Sequence, residues 1–398
     1  MTETHRSDHD VVVVGARCAG AATAMLLARM GHDVVVVDKA HLPTDTLSTH
    51  GIARGGVVQL ARWGLLDEVL AAGAPAVKKV TFQANGESMT RRIKERGGVD
   101  HLLAPRRYIL DGLLSTAAAR SGADLRTGVT ATGVLRSKAG RVSGLTARTA
   151  DGDELVLSAR FVVGADGRHS RMAGHFGAAT EDAFTPRSAS FYTYVEAPGW
   201  DAFEFHVGPD AFAGVFPTND GQACVWLCRP TAAMSVLRTA GTGRAEALLT
   251  MLEEVAPDLG RRARAGRVTA PVRGAIDLPN YLRSPYGPGW ALVGDAGYHR
   301  DPITGHGITD AFRDAELLAT ALDQSLCDRE AEADGLAAYG RTRDTAVREI
   351  FDLTRALTEY PETGRFVALQ IQLSEALERE ADFLAALPKS PEVIESAA

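Results

Sequence analysis

The chain has 398 residues, 45% of them apolar and 23% charged, with a formal net charge of −7 and a pI near 5.9. That balance suits an ordinary globular protein of two or three units sharing an interior. It excludes a nucleic-acid binder built on a basic stripe; the short run Arg261, Arg262, Arg264 and Arg267 reads as a solvated face. Cys18, Cys224, Cys228 and Cys327 form no C-x-x-C pair and show no zinc spacing, so no metal site is expected. Cys224 and Cys228 fall on one face of the strand-like GQACVWLC and read as small core residues. Reduced thiols fit a cytoplasmic enzyme. The first ten residues lack the apolar core of a signal peptide. Gly15, Arg17 and Gly20 interrupt the apolar stretch behind them, so no membrane span is expected.

In chain order, Val11–Val14 reads as a buried parallel strand and 19–30 as an Ala- and Leu-rich helix capped by Gly31. A second apolar strand follows at 33–38. A helix is expected over 52–71, nicked at Gly64, and a hairpin within 77–99 that turns at Asn85-Gly86. Residues 107–120 read as helix, then 124–136, 142–150 and 154–164 as strands. The aromatic, turn-rich segment 185–230 implies a mixed or antiparallel sheet. A last buried strand covers 289–296, a helix runs from about 307 to 322, and 331–398 is largely helical with turns near Pro361 and Pro388.

Gly15-Ala16-Arg17-Cys18-Ala19-Gly20 occupies the slot of G-x-G-x-x-G between strand and helix, the turn that brings a helix N-terminus to a dinucleotide pyrophosphate. Gly15 permits the tight turn and Gly20 the close helix–strand packing. Arg17 replaces the middle glycine, and a guanidinium there can bond phosphate directly. Asp38 ends the second strand where an acid accepts from a ribose diol, followed by Lys39. Asp166-Gly167 and Gly294-Asp295 also follow buried strands, so three strand ends can converge on one sheet edge, where ligands bind. Beyond Asp295, Pro302 fixes a turn, and Gly305 and Gly307 permit close backbone approach ahead of a helix starting near Ile308. The amides and positive dipole end of that helix suit the anionic edge of a reduced flavin.

Taken together, these motifs resemble the para-hydroxybenzoate-hydroxylase-like FAD monooxygenases, a group related to the geranylgeranyl-reductase-like flavoproteins. The resemblance covers roughly residues 10–325. It implies that Arg107, in Arg107-Tyr108-Ile109-Leu110-Asp111, reaches toward FAD. It further implies that Asp166 serves both FAD and NAD(P)H, that Asp295 binds the ribityl chain, and that Pro302 and Gly307 flank the isoalloxazine. Ser48, Thr49 and His50 fall where a strand–helix loop approaches the ring. Thr309 stands where Asn is common and Tyr298 where His is frequent. The W-x-W-x-I-P motif of flavin halogenases is absent, which argues against halogenation.

The implied fold is α/β: a Rossmann-like FAD-binding domain with a parallel sheet, a substrate domain on a mixed or antiparallel sheet, and a C-terminal helical region. The FAD-binding domain would comprise residues 1–76, 101–178 and 276–325, the substrate domain 77–100 and 179–275, and the helical region 326–398. Neither a second nucleotide fingerprint nor a redox C-x-x-x-x-C is present, and the resemblance implies NADH or NADPH as a transient co-substrate. The implied activity is single-component monooxygenation of a small organic substrate with O2, through a flavin C4a-hydroperoxide. FAD-dependent reduction or dehydrogenation at a carbon–carbon bond is the alternative, and a non-catalytic flavin sensor a third reading. His50 is the candidate for polar or acid–base work at the ring, with Pro302 beside it. Tyr192, Tyr194 and His206 are the candidate substrate contacts, although both tyrosines equally suit a core, and His306 stands at the helix start. A homodimer is left open.

Overall fold

Unbroken valine runs build the centre of the first sheet. The computed structural model describes residues 6–197 and 199–388. In it, strand Arg6–Val14 pairs in parallel with Val34–Asp38, from Val11 against Val34 to Val14 against Val37. Its other edge pairs in parallel with Glu154–Gly164, which in turn pairs in parallel with Trp290–Leu292. Asp124–Thr127 adds in parallel beyond Val34–Asp38. Helices and further strands cover both faces of such a sheet, so its strands need apolar residues at every position rather than at alternate ones. The carboxyl ends of three adjacent strands lead into Gly15, Ala165-Asp166 and Gly294-Asp295, and these segments meet at one edge.

Helix Cys18–Arg29 packs on this sheet and against helices Arg107–Arg120 and Gly307–Cys327. Gly20 governs how closely it can approach. A Cβ there would stand 1.8 Å from the Gly15 carbonyl oxygen and 3.1 Å from Ala165 Cβ.

The second sheet is an antiparallel series of Ser188–Glu196, Gln222–Pro230, Ala211–Pro217 and Phe203–Gly208. The hairpin Lys79–Ala84/Glu87–Arg92 turns at Asn85-Gly86, as the sequence predicts, and adds to Phe203–Gly208 in parallel. Alternation sorts its side chains onto two faces. The inner face carries Tyr192, Tyr194, Phe212, Phe216, Cys224, Trp226 and Cys228, packed with Ile350, Leu357, Phe366 and Leu369 of helices Glu332–Leu357 and Thr363–Ala386. The outer face carries Phe191, Val195, Val215 and Leu227, packed with Leu248, Leu252 and Leu259 of helices Arg244–Val255 and Pro257–Ala265. Cys224 and Cys228 are buried free thiols of that inner core.

Several boundaries differ from the sequence reading. The expected helix over 52–71 is two, Arg54–Arg62 and Leu66–Ala71, because Gly64 is left-handed at φ 72°. Gly128, at φ 71°, divides the expected strand 124–136 in the same way. The last strand stops at Leu292, and Gly294–Ala296 turn as a short 3-10 segment. The arginine run is no solvated face throughout. Arg262 pairs with the buried Glu204, and Arg264 Nε bonds Glu253 at 2.8 Å, so the run braces two helices against the outer sheet face.

Substituting Gly20→Ala should force the first helix off the strand ends and cost about 1–3 kcal/mol, the usual penalty of overpacking. Differential scanning calorimetry should show a lowered thermal midpoint; an unchanged midpoint would contradict the close packing.

Candidate functional site

A cavity of about 520 Å³ runs from the Gly15 turn, along the sheet edge, to strand Ser188–Glu196. At its first end the Asp38 carboxylate accepts from Ala16 N and Ala40 N, both at 2.8 Å, which ties the glycine turn to the second strand. Lys39 is exposed at the rim. Arg17 precedes the first helix, donates from Nη2 to Thr44 Oγ1 at 2.9 Å, and stands 3.8 Å from Asp111. It spans the mouth of the turn instead of projecting freely into solvent.

Asp111, fully buried, organises the next layer. Arg107 donates from Nε and Nη2 to Asp111 Oδ1 at 3.2 and 3.0 Å, and Cys18 Sγ lies 3.3 Å from the same oxygen. The i,i+4 spacing of Arg107 and Asp111 on one helix makes that pairing local, and Arg107 still lines the cavity. Asp166 turns back on its own loop, accepting from Ser170 Oγ at 2.5 Å and from Arg171 N at 2.7 Å. Asp295 also lines the cavity, while its carbonyl accepts from Tyr281 Oη at 2.7 Å.

At the far end lie Pro302, Gly307 and Ile308, the start of helix Gly307–Cys327. A Cβ on Gly305 or Gly307 would meet no atom within 4 Å, so the backbone there leaves open space for a flat ring.

His50 joins this end with φ 64°, an unusual conformation for a residue with a Cβ. Its Nε2 bonds Tyr194 Oη and its ring stacks on Tyr194, with centroids 5.5 Å apart, while Nδ1 is buried without a partner. Burial, reinforced by Arg107, Arg106 and Arg273, holds the imidazole well below its ordinary pKa, so it is neutral near pH 7. Ser48 N donates to Tyr192 Oη at 3.1 Å, and Ser48 Oγ accepts from His50 N at 3.1 Å. Thr49 completes this stretch of the lining.

Of the three expected substrate contacts, Tyr192 lines the cavity and Tyr194 stands behind His50. His206 does not join them. It and Glu204 alternate with the inner-face residues Phe203, Phe205 and Val207, so both point to the outer face, where Arg262 holds Glu204. Period-two alternation carries that information in the sequence, but only once the inner face is known.

The sequence reading also missed a buried ionic cluster at the far end of the cavity. His306 Nε2 bonds Glu380 of the C-terminal helix Thr363–Ala386. Arg313 bridges Asp310 at 2.7 Å, Asp314 at 2.7 Å and Glu380 at 2.6 Å, and Arg300 bonds Asp310 at 2.8 Å. Burial alone would raise the Glu380 carboxyl, but His306 and Arg313 hold it well below its ordinary pKa. The potential metal donors of His306, Asp310 and Glu380 lie within 4.8 Å of one another, yet both carboxylates are already held by arginine. No local sequence signal joins Glu380 to His306, because 74 residues separate them.

A glycine turn at a helix N-terminus, an acid at the second strand end and an open loop at a second helix start suit a dinucleotide with a flat ring. Residues 8–354 match the family model described as FAD binding domain. The chain belongs to that family. FAD is its cofactor. Among curated relatives, the digeranylgeranylglycerophospholipid reductase of Methanocella arvoryzae is 27% identical over 86% of this chain and 84% of its own length. The kynurenine 3-monooxygenase of Salinispora tropica is 27% identical over 88% of this chain and 80% of its own. The fold matches that of pqsL from Pseudomonas aeruginosa, described as a probable FAD-dependent monooxygenase. That structure has a TM-score of 0.80 and 24% identity, covering 92% of this chain and all of that one.

If Arg17 holds the pyrophosphate of this FAD, Arg17→Ala should weaken binding by about tenfold, since about 1.4 kcal/mol is one decade. Equilibrium FAD titration at low and high salt tests it; equal affinities for variant and parent at both would remove the phosphate role. Asp295→Ala should weaken FAD retention by about 1.5–3 kcal/mol through loss of a charged acceptor to a ribityl hydroxyl. Undiminished FAD retention on dialysis would contradict it.

Proposed function

We propose that this FAD-binding protein is a single-component monooxygenase that takes electrons from NADH or NADPH and places one atom of O2 on a small organic substrate. The observation that carries the reading is the filled inner face of the second sheet. Phe203 stacks on Phe216 at 4.3 Å between centroids, Trp226 packs against Phe212 at 5.1 Å, and Phe366 of the C-terminal helix closes on Phe212 at 5.2 Å. Such an interior is close-packed, and rings in it yield space only at the cost of cavities elsewhere. A substrate therefore reaches the ring end against Tyr192 and Ser190, within the same cavity that holds FAD, and not along the sheet.

That arrangement favours a compact molecule over the digeranylgeranylglycerophospholipid in the name of one relative, so carbon–carbon reduction of a long lipid is the second reading. Bound there, FAD supplies the redox chemistry. The chain supplies orientation and a water-poor pocket. Arg17, Asp38, Lys39, Arg107 and Asp295 are assigned to FAD, with Ser48, Thr49, Pro302, Gly307 and Ile308 near the ring. Tyr192 is assigned to substrate, directly, and Tyr194 through His50. His50, neutral and with Nδ1 unpartnered, offers a hydrogen-bonding group to ring or substrate. A cytoplasmic location and a homodimer belong to the same proposal; no helix among the described residues is long and apolar enough to cross a membrane.

Oxygen-electrode and absorbance measurements with a substrate library should show NAD(P)H oxidation, O2 uptake and oxygenated product in equal amounts, with label from isotopic O2 in the product. Anaerobic turnover to a reduced product would support the reductase reading instead.

A further inference from the structure

The ionic cluster at the far end of the cavity contains one nitrogen that none of its bonds uses. His306 is 1% exposed and lines the cavity, and its Nδ1 is buried without a hydrogen-bond partner. Its Nε2 bonds Glu380 on the C-terminal helix. Glu380 also accepts from Arg313 Nη1 at 2.6 Å, and His306 and Arg313 together hold its carboxyl well below its ordinary pKa. An ionised carboxylate only accepts hydrogen bonds, so Nε2 carries the hydrogen of this pair and Nδ1 is the bare nitrogen of the neutral ring. His306 stands at the start of helix Gly307–Cys327, yet its side chain does not cap that helix. A polar atom left bare in the interior is costly, and an imidazole held this way by a carboxylate is set to gain a proton at its other nitrogen.

We propose that His306 Nδ1 takes up a proton when the bound FAD is reduced, so that an imidazolium forms beside the anionic edge of the reduced ring. The proposal rests on the seating of the ring beside Pro302 and Gly307, and it holds whether O2 or a carbon–carbon double bond reoxidises the flavin. In the step, hydride from NADH or NADPH carries two electrons and one proton to the flavin. A carbon–hydrogen bond of the nicotinamide breaks, a nitrogen–hydrogen bond forms on the ring, and the ring is left with one negative charge. One further proton, from water, bonds the Nδ1 lone pair and returns to water on reoxidation, so the step needs no further reactant. Glu380 fixes the tautomer before the step and stabilises the cation after it.

The surrounding charges suit that sequence. Asp310 and Arg313 stand on the same helix as His306, and Arg300 and Asp301 on the loop before it; Arg300 bonds Asp310 at 2.8 Å and Arg313 bonds it at 2.7 Å. Asp314 shares Arg313, and behind it Arg343 of helix Glu332–Leu357 pairs with Asp344. The arginines and the positive end of the helix dipole favour negative charge at this end of the cavity, which is the charge that reduction brings. A proton on Nδ1 then lies between two negative groups, the reduced ring and Glu380, and is favoured by both.

The test uses FAD-bound holoenzyme without substrate or O2. Its two-electron potential is measured against indicator dyes across the neutral pH range, and the absorbance of the reduced flavin is recorded. A tenfold change in proton concentration shifts a two-electron couple by about 30 mV for each proton taken up. The parent potential should therefore fall by about 60 mV per pH unit, with one proton on the ring and one on His306. The reduced flavin should keep the absorbance of its anionic form.

His306→Gln places an amide where Nε2 bonds Glu380 and leaves nothing at Nδ1. It should keep the parent thermal midpoint while its potential falls by only about 30 mV per pH unit. His306→Asn places its amide near Nδ1 and releases Glu380, so it should lose the same proton and also melt earlier. A merely structural His306 predicts the parent slope in both variants. An undiminished slope in either variant, a parent slope of only about 30 mV per pH unit, or the absorbance of neutral reduced flavin in the parent would each overturn the proposal. Parent protein that holds no flavin would overturn the FAD assignment itself, and the proposal with it.

Discussion

The contact between Gly20 and the Gly15 carbonyl is the constraint on which the rest of the molecule depends. With only a hydrogen at Gly20, the first helix can sit directly on the strand ends, where a methyl group would lie 1.8 Å from the oxygen. Gly15 itself adopts φ 109° beside the Ala165 carbonyl, so the turn is wedged between the first strand and its parallel neighbour. This packing brings the helix N-terminus, the Asp38 carboxylate and the Asp166 and Asp295 segments to one sheet edge. Buried Asp111 secures the arrangement from the adjacent helix by holding Arg107 and approaching Cys18 and Arg17.

A second layer of order lies at the far end of the cavity, where charge rather than apolar contact holds the elements together. Arg313, fully buried, is shared among Asp310, Asp314 and Glu380, and His306 closes the cluster onto the C-terminal helix. Removing one member of such a cluster leaves an uncompensated charge in the interior, which costs several kcal/mol. The helix that starts at Gly307 is thereby fixed at its first turn, and the loop carrying Asp301 and Pro302 is fixed with it through Arg300. The C-terminal helix thus takes part in shaping the far end of the cavity while also sealing the inner sheet face with Phe366.

Much of this was legible in sequence because the governing signals are local. Four valines in a row announce a strand buried on both faces, and Gly15 and Gly20 announce the turn between it and its helix. Asn85-Gly86 announces the hairpin. What could not be read were pairings between distant residues. His306 and Asp301 each sit beside a glycine or proline that drew attention to the loop, but their partners Glu380 and Asn280 lie in other elements. His206 misled for a related reason: a histidine in an aromatic strand suggests a pocket, and only the assembled sheet shows that its face belongs to Arg262 and Glu204. The arginines near 262 looked solvated because a charge run carries no sign of the buried acid it serves.

Three converging strand ends and the two helix starts beside them should make one site for one FAD. Its most direct test is the flavin content of the purified, FAD-supplemented protein after gel filtration. A yellow protein with one FAD per chain, released intact by acid or heat, is the expected result. Colourless protein after supplementation, with no flavin retained per chain, would contradict it.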